Sequence, residues 1–178
     1  MTNLLLIRHC SATGQQSDAP LTVEGFQQAK ELSQHLESYS VSKIISSPYL
    51  RAVQTIEPFA KHFDIPIHLD ARLQERILSS SDLPDWMEKL EETFNNFNLK
   101  FEGGESSAEA LNRIEQCLKE IKVEDNSFVV VVTHGNLASL LLTSLDTNFG
   151  FEGWRNMPNP AIYKLSQGSS SKVHLATK

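Results

Sequence analysis

The hexapeptide FVVVVT at residues 128–133 constrains the fold more than any other stretch. Four consecutive valines leave neither face polar, which is the mark of a strand buried on both sides, as in parallel sheets covered by helices. Shorter apolar runs at residues 3–7 (NLLLI), 43–47 (KIISS) and 66–70 (PIHLD) read as companion strands, and residues 160–165 and 172–176 as edge strands.

Helix-period segments separate these runs. Thr22 reads as the cap of a helix with Val23, Phe26, Ala29, Leu32 and Leu36 on its apolar face. Ser47 and Pro48 read as a cap and a first-turn proline, opening a helix that carries Leu50, Val53, Ala60 and Phe63. Ser106 with Glu109 three residues later is a capping-box pattern, followed by Leu111, Ile114, Leu118 and Ile121; another helix follows Gly135 through Leu137, Leu140 and Leu141. Strands alternating with helices predict an α/β fold, a three-layer α/β/α sandwich around a mostly parallel sheet. Residues 76–104, polar and broken by SSSDLP, predict an excursion or cap over the sheet's rim, with a helix over 83–97. Residues 168–172 read as a serine-rich turn, and the 178 residues as a single domain, 1–178.

A net charge of -6 disfavours nucleic acid or an anionic membrane as partner, so any phosphate site has to be a local basic pocket. Two isolated cysteines, Cys10 and Cys117, make neither a disulfide framework nor a metal site. The apolar start at residues 4–7 lacks the basic leader and cleavage site of a signal peptide, so the expected location is cytoplasmic. No pattern specifies an oligomeric state.

In open α/β sheets ligands bind at the carboxyl ends of the strands. The residues found there are Arg8 and His9 after the first strand, Arg51 in the helix after the second, Glu75 after the third and His134 after the valine strand. Arginine forks match phosphate oxygens in two-point contact and keep their charge. A neutral His9 can present a lone pair to phosphorus, His134 can donate to a non-bridging oxygen, and Glu75 can supply the leaving-group proton. Taken singly, each is more simply a structural or solvated residue; the ordered set is what points to phosphoryl transfer. A second signature overlaps the first, because HCSATG from His9 to Gly14 looks like a cysteine-phosphatase loop. That chemistry needs an arginine six residues after the cysteine, and the position holds Gln16.

LIRHCSA, DAPLTVEGFQQAKELSQHL, KIISSPYLRAVQTIEPFA, LDARLQE, GGESSAEALNRI and VVTHGNLASLL, in that order, resemble the histidine phosphatase superfamily, in its phosphoglycerate-mutase-like branch. The resemblance implies His9 as the phosphorylated nucleophile, Arg8, Arg51 and His134 as the phosphate pocket, Glu75 as proton donor, and Gln15 where the family often has a phosphate-contacting asparagine. It implies a metal-independent, cofactor-free phosphomonoesterase acting on a small phosphorylated metabolite or a phosphoprotein. A mutase of the same family and a non-catalytic phosphate-binding module are the alternatives. The family's Arg-His-Gly is here Arg-His-Cys, so a positive φ at that glycine would leave Cys10 strained. Asp82 and Glu105 are the next acids should Glu75 not serve. Specificity is expected from residues 76–104 and 149–159, where Phe151, Trp154 and Arg155 either line the mouth or simply pack, packing being the preferred reading.

Overall fold

The computed structural model describes residues 3–122, 126–166 and 169–173. Its centre is a six-stranded sheet in the order β3-β2-β4-β1-β5-β6, made of β1 (Leu4–Arg8), β2 (Val41–Ser46), β3 (Ile67–Leu69), β4 (Phe128–Thr133), β5 (Ala161–Ser166) and β6 (Ser169–Val173). The first four in that order pair in parallel, while β5 and β6 run antiparallel to their neighbours. The helices are α1 (Val23–Leu36), α2 (Leu50–Phe63), α3 (Trp86–Asn95), α4 (Ser107–Lys119), α5 (Gly135–Leu145) and α6 (Gly150–Arg155).

The valine strand lies between β1 and β2 and explains the layering. Val129 and Val131 join Leu4 and Leu6 in a core under α4 and α5, while Val130 and Val132 join Leu5 and Ile7 in a second core under α1 and α2. Alternation along each strand thus feeds two apolar layers, and burial of both faces drives the assembly. The α/β/α sandwich read from the sequence is what the chain forms.

Several local expectations change. Val23 is 91% exposed, and Phe26, Leu50 and Phe63 are exposed as well. Ala29, Leu32 and Leu36 in α1 and Ala60 in α2 are buried as expected, and the rest of the faces that meet the sheet is built on Gly25 and Ser33 in α1 and on Ala52, Thr55, Ile56 and Phe59 in α2. Small residues let these two helices press against each other, so size rather than hydropathy alone selects the buried stripe. Ser47 does not cap α2, whose N-cap is Tyr49 with no side-chain bond. The Ser47 amide instead extends the β2–β4 pairing by donating to the Val132 carbonyl at 2.9 Å.

The expected helix over 83–97 is the shorter α3, and α6 was not anticipated. Of the serine-rich turn expected over 168–172, residues 169–172 are corrected to β6, and 168 falls outside the described residues. Its polar residues suit an edge strand that satisfies its backbone against β5 and leaves its faces largely to solvent. Of the edge strand expected over 172–176, Lys172 and Val173 belong to β6, and 174–176 fall outside the described residues. The capping box stands as read, with Glu109 N donating to Ser106 Oγ and Ser106 N to Glu109 Oε2. No helix among the described residues is long and apolar enough to cross a membrane.

One close contact fixes α1 against the loop that follows β1. The Ser11 carbonyl accepts from Thr22 N at 3.0 Å, and a Cβ on Gly25 would stand 2.0 Å from that same oxygen. Gly25→Ala therefore has to separate helix and loop. The expected cost is about 2 kcal/mol of stability and a fall in Tm of about 4–8 °C, measured by scanning calorimetry; an unchanged Tm would mean that the loop yields freely.

Candidate active site

The carboxyl ends of β1, β2 and β4 gather most of the side chains singled out above. His9 follows β1 with its amide on the Thr133 carbonyl at 3.0 Å, so strand pairing fixes its backbone. Its Nδ1 lies 2.7 Å from the Cys10 carbonyl. A carbonyl can only accept, so Nδ1 carries the hydrogen and Nε2 keeps its lone pair. Burial holds the His9 pKa down to about 4, with the Cys10 carbonyl opposing and Arg51 and Arg8 adding to the depression. The ring is therefore neutral at neutral pH.

Arg51, the second residue of α2, is 1% exposed. Its Nε donates to His9 Nε2 at 3.1 Å, and its Nη1 donates to the carbonyls of Gln15 and Gln16 at 3.1 and 2.7 Å. The guanidinium also sits 4.9 Å from the Tyr49 ring centre. Burial lowers its pKa, as it does for Arg8, and attraction to Glu75 opposes the shift in both.

Arg8 ends β1 and donates through Nη1 to the Met157 carbonyl; its Nε is buried without a partner among the described residues. The guanidinium lies against the first residue of α5, since a Cβ on Gly135 would come within 3.0 Å of Arg8 Nε and Cζ. Glycine at 135 is thus what lets the arginine fork reach the helix end.

His134 is the N-cap residue of α5 and fully buried, with its ring centre 5.1 Å from that of His9. Its Nε2 is 2.8 Å from Ser47 Oγ, while Nδ1 has no partner among the described residues. Burial takes its pKa well below the usual histidine value, with the positive neighbours adding to the effect. Glu75 reaches the same helix end: Oε1 accepts from Arg76 N and Leu137 N at 2.9 and 3.0 Å, and Oε2 from Asn136 N at 3.1 Å. Free amides at a helix start favour a carboxylate there, which explains the position of Glu75.

Arg8, His9, Glu75 and Gln15 all line one cavity of about 800 Å³. Gln15 is exposed on its wall, and its backbone carbonyl, not its side chain, holds Arg51. Arg51 is hydrogen-bonded to the His9 ring, and the His134 ring meets it edge to face. Of the reserve acids, Asp82 lines the cavity, whereas Glu105 is paired with Arg113 at 2.7 Å. Trp154 also lines the cavity, the mouth reading rather than the preferred packing one; Phe151 is buried beside it and Arg155 is exposed.

Sequence reasoning missed three supports. Ser47 holds His134, Tyr49 faces both Arg51 and the His134 ring, and Asn159 donates to the His9 carbonyl at 2.7 Å. Ser47 and Tyr49 flank Pro48 just before Arg51 and were legible as neighbours of a site residue; nothing in the sequence singles out Asn159.

Cys10 does not strain the pocket. Positive φ at described non-glycine residues occurs at Asp64 and Asn126, not at Cys10. Its amide donates to Thr55 Oγ1 at 2.9 Å, its side chain is fully buried in the α1–α2 core, and burial pushes the thiol up to about 12. A thiol in that state is not a nucleophile at neutral pH.

Comparison with known proteins follows this geometry. Phosphoserine phosphatase 1 of Hydrogenobacter thermophilus is 31% identical over 150 residues, covering 75% of this chain and 71% of that protein. A "probable phosphoglycerate mutase" of Salmonella choleraesuis is 29% identical over 148 residues, covering 78% of this chain and 67% of its own length. Among solved structures, a mycobacterial glucosyl-3-phosphoglycerate phosphatase in complex with inorganic phosphate superposes with a TM-score of 0.78 at 22% identity, covering 99% of this chain and 98% of that one. At that identity it speaks for the fold. The sequence model of the histidine phosphatase superfamily (branch 1) matches residues 4–176, and the chain belongs to that family of phosphohistidine enzymes.

Proposed function

We propose that the protein is a phosphomonoesterase in which His9 Nε2 attacks phosphorus. The observation that carries this reading is the pair of contacts on the His9 ring: Nδ1 on the Cys10 carbonyl leaves the lone pair at Nε2, beside the Arg51 guanidinium. In the first step the N–P bond forms as the P–O bond to the leaving alkoxide breaks. In the second, water attacks phosphorus, the N–P bond breaks and inorganic phosphate leaves.

Arg8 and Arg51 bind the phosphoryl oxygens and stabilise charge that grows in flight. Ser47 Oγ lies 2.8 Å from His134 Nε2 and can donate to it; in that tautomer Nδ1–H of His134 is the hydrogen donor for a phosphoryl oxygen. Glu75 gives a proton to the leaving alkoxide and recovers one from the attacking water. Its Oε2 accepts one amide where Oε1 accepts two, so Oε2 is the oxygen with a place left for that proton. A small phosphorylated substrate, rather than nucleic acid, fits the net charge of -6. Two free, buried cysteines fit a reducing cytoplasm.

The decisive experiment is trapping with labelled substrate. Wild type should give an acid-labile, alkali-stable phosphoenzyme, His9→Ala none, and Cys10→Ser a level close to wild type. Trapping that survives in His9→Ala and is lost in folded Cys10→Ser would transfer the chemistry to sulfur. The fate of the label also separates hydrolysis, which passes it to water, from mutase transfer, which passes it to a second hydroxyl.

Imidazole NMR of the free protein should show His9 titrating near pH 4. Burial disfavours the charged ring, so it protonates only as pH falls through that value. Titration near the ordinary value of about 6.5 would mean a solvated ring and a weaker case for this site.

Glu75→Gln should lower kcat/KM for an alkyl phosphate by about 100-fold or more. The nitrophenyl ester, whose leaving group hardly needs a proton, should lose less than about tenfold. Equal losses on both esters would assign the acid elsewhere, Asp82 being next on the cavity wall.

A further inference from the structure

The cavity has two unlike walls. One carries Arg8, His9 and Glu75; the other comes from the excursion after Glu75 and from α6. That second wall presents Ile77, Leu78, Leu83, Trp86, Leu90 and Trp154. Two of these are unusually bare for their size, with Ile77 53% and Trp86 46% exposed. The Trp86 and Trp154 rings meet edge to face at 6.4 Å, so α3 and α6 together frame an aromatic corner.

The charges on this wall are as informative. A substrate bearing a carboxylate needs a cation beyond the phosphate pocket, since an unpaired charge taken out of water is costly. The excursion supplies one cationic lining residue, Arg76, and two of its three nitrogens are engaged by groups that do not line the cavity. Arg76 is 6% exposed, with Nε on the Glu105 carbonyl, Nη1 on Thr93 Oγ1 and Nη2 buried without a hydrogen-bond partner among the described residues. It ties the excursion to α3 and to the start of α4. The other charged side chain that the excursion brings to the cavity is Asp82, which repels an anionic substituent.

Resting on the phosphatase reading above, we propose that the preferred substrate is the phosphomonoester of a bulky, uncharged, apolar alcohol, whose organic part packs on the Ile77–Leu83–Trp86–Trp154 wall. Esters whose alcohol carries a carboxylate, such as phosphoserine or a phosphoglycerate, are disfavoured by Asp82 and because the cation on that wall, Arg76, is buried and already tied to Glu105 and Thr93. Apolar contact on that wall adds affinity with each methylene it covers, while the phosphate and the reacting bond stay the same.

Straight-chain alkyl monophosphates from ethyl to decyl test this, because their leaving groups are alike and only apolar length varies. On the purified full chain, kcat/KM should rise by about two- to fourfold per methylene over the first several carbons, the range set by burying a CH2 group. O-phosphoserine should fall about 100-fold or more below hexyl phosphate. Trp86→Ala should reduce the decyl-to-ethyl ratio about tenfold, and Trp86→Phe should restore most of it, which a general folding defect would not. Asp82→Lys should raise turnover of phosphoserine relative to hexyl phosphate. A flat alkyl series, or phosphoserine turned over better than hexyl phosphate, overturns the substrate class and leaves the phosphatase reading standing. No turnover of any ester, nitrophenyl phosphate included, together with no label on His9, overturns the phosphatase reading and this inference with it.

Discussion

The buried guanidinium of Arg51 is the contact on which the site depends. It is almost wholly out of water, and its hydrogen bonds go to the His9 ring and to the carbonyls of Gln15 and Gln16. An arginine without partners could not remain there, because a buried charge must be matched by acceptors or neutralised. Those acceptors exist because the loop after β1 folds back on itself, with Thr13 N on the Pro20 carbonyl and Ala12 bridged to Leu21. Loop, strand end and helix start are thus locked by one side chain, and a phosphate entering the site meets donors whose positions are already set.

On the reading proposed above, in which His9 is the nucleophile, the same guanidinium sets its resting state. With Arg51 Nε–H on His9 Nε2, the lone pair that is to attack is occupied by a hydrogen bond until a phosphoryl group arrives. Phosphate oxygens are stronger acceptors for guanidinium than a neutral ring nitrogen is, so substrate itself draws the donor away. The nucleophile is unmasked by the group it attacks.

Much of this was legible before any coordinates. The valine run determined a two-faced sheet, and strand-end logic found Arg8, His9, Arg51, Glu75 and His134 because the parallel topology delivers them to one edge. What was not legible has physical reasons. The buried faces of α1 and α2 follow from small residues allowing close helix packing, which a count of large apolar residues overlooks. β6 is an edge strand held by backbone bonds, so its serines carry no hydrophobic signal. Ser47 looked like a helix cap because serine before proline usually is one; only the fold shows His134 Nε2 within reach of its hydroxyl. Cys10 looked like a strained replacement for glycine, yet its φ is negative and its side chain fills the core.

The edge-to-face pair at the cavity mouth has an optical consequence. The chain has two tryptophans, Trp86 and Trp154, and both line that cavity. All of the protein's indole emission therefore originates at the rim of the pocket, with none from the core to dilute it. Entry of an organic group between or beside the rings changes the polarity around both chromophores at once. The protein thus carries an intrinsic reporter of occupancy, and binding can be followed by fluorescence without a label and without turnover.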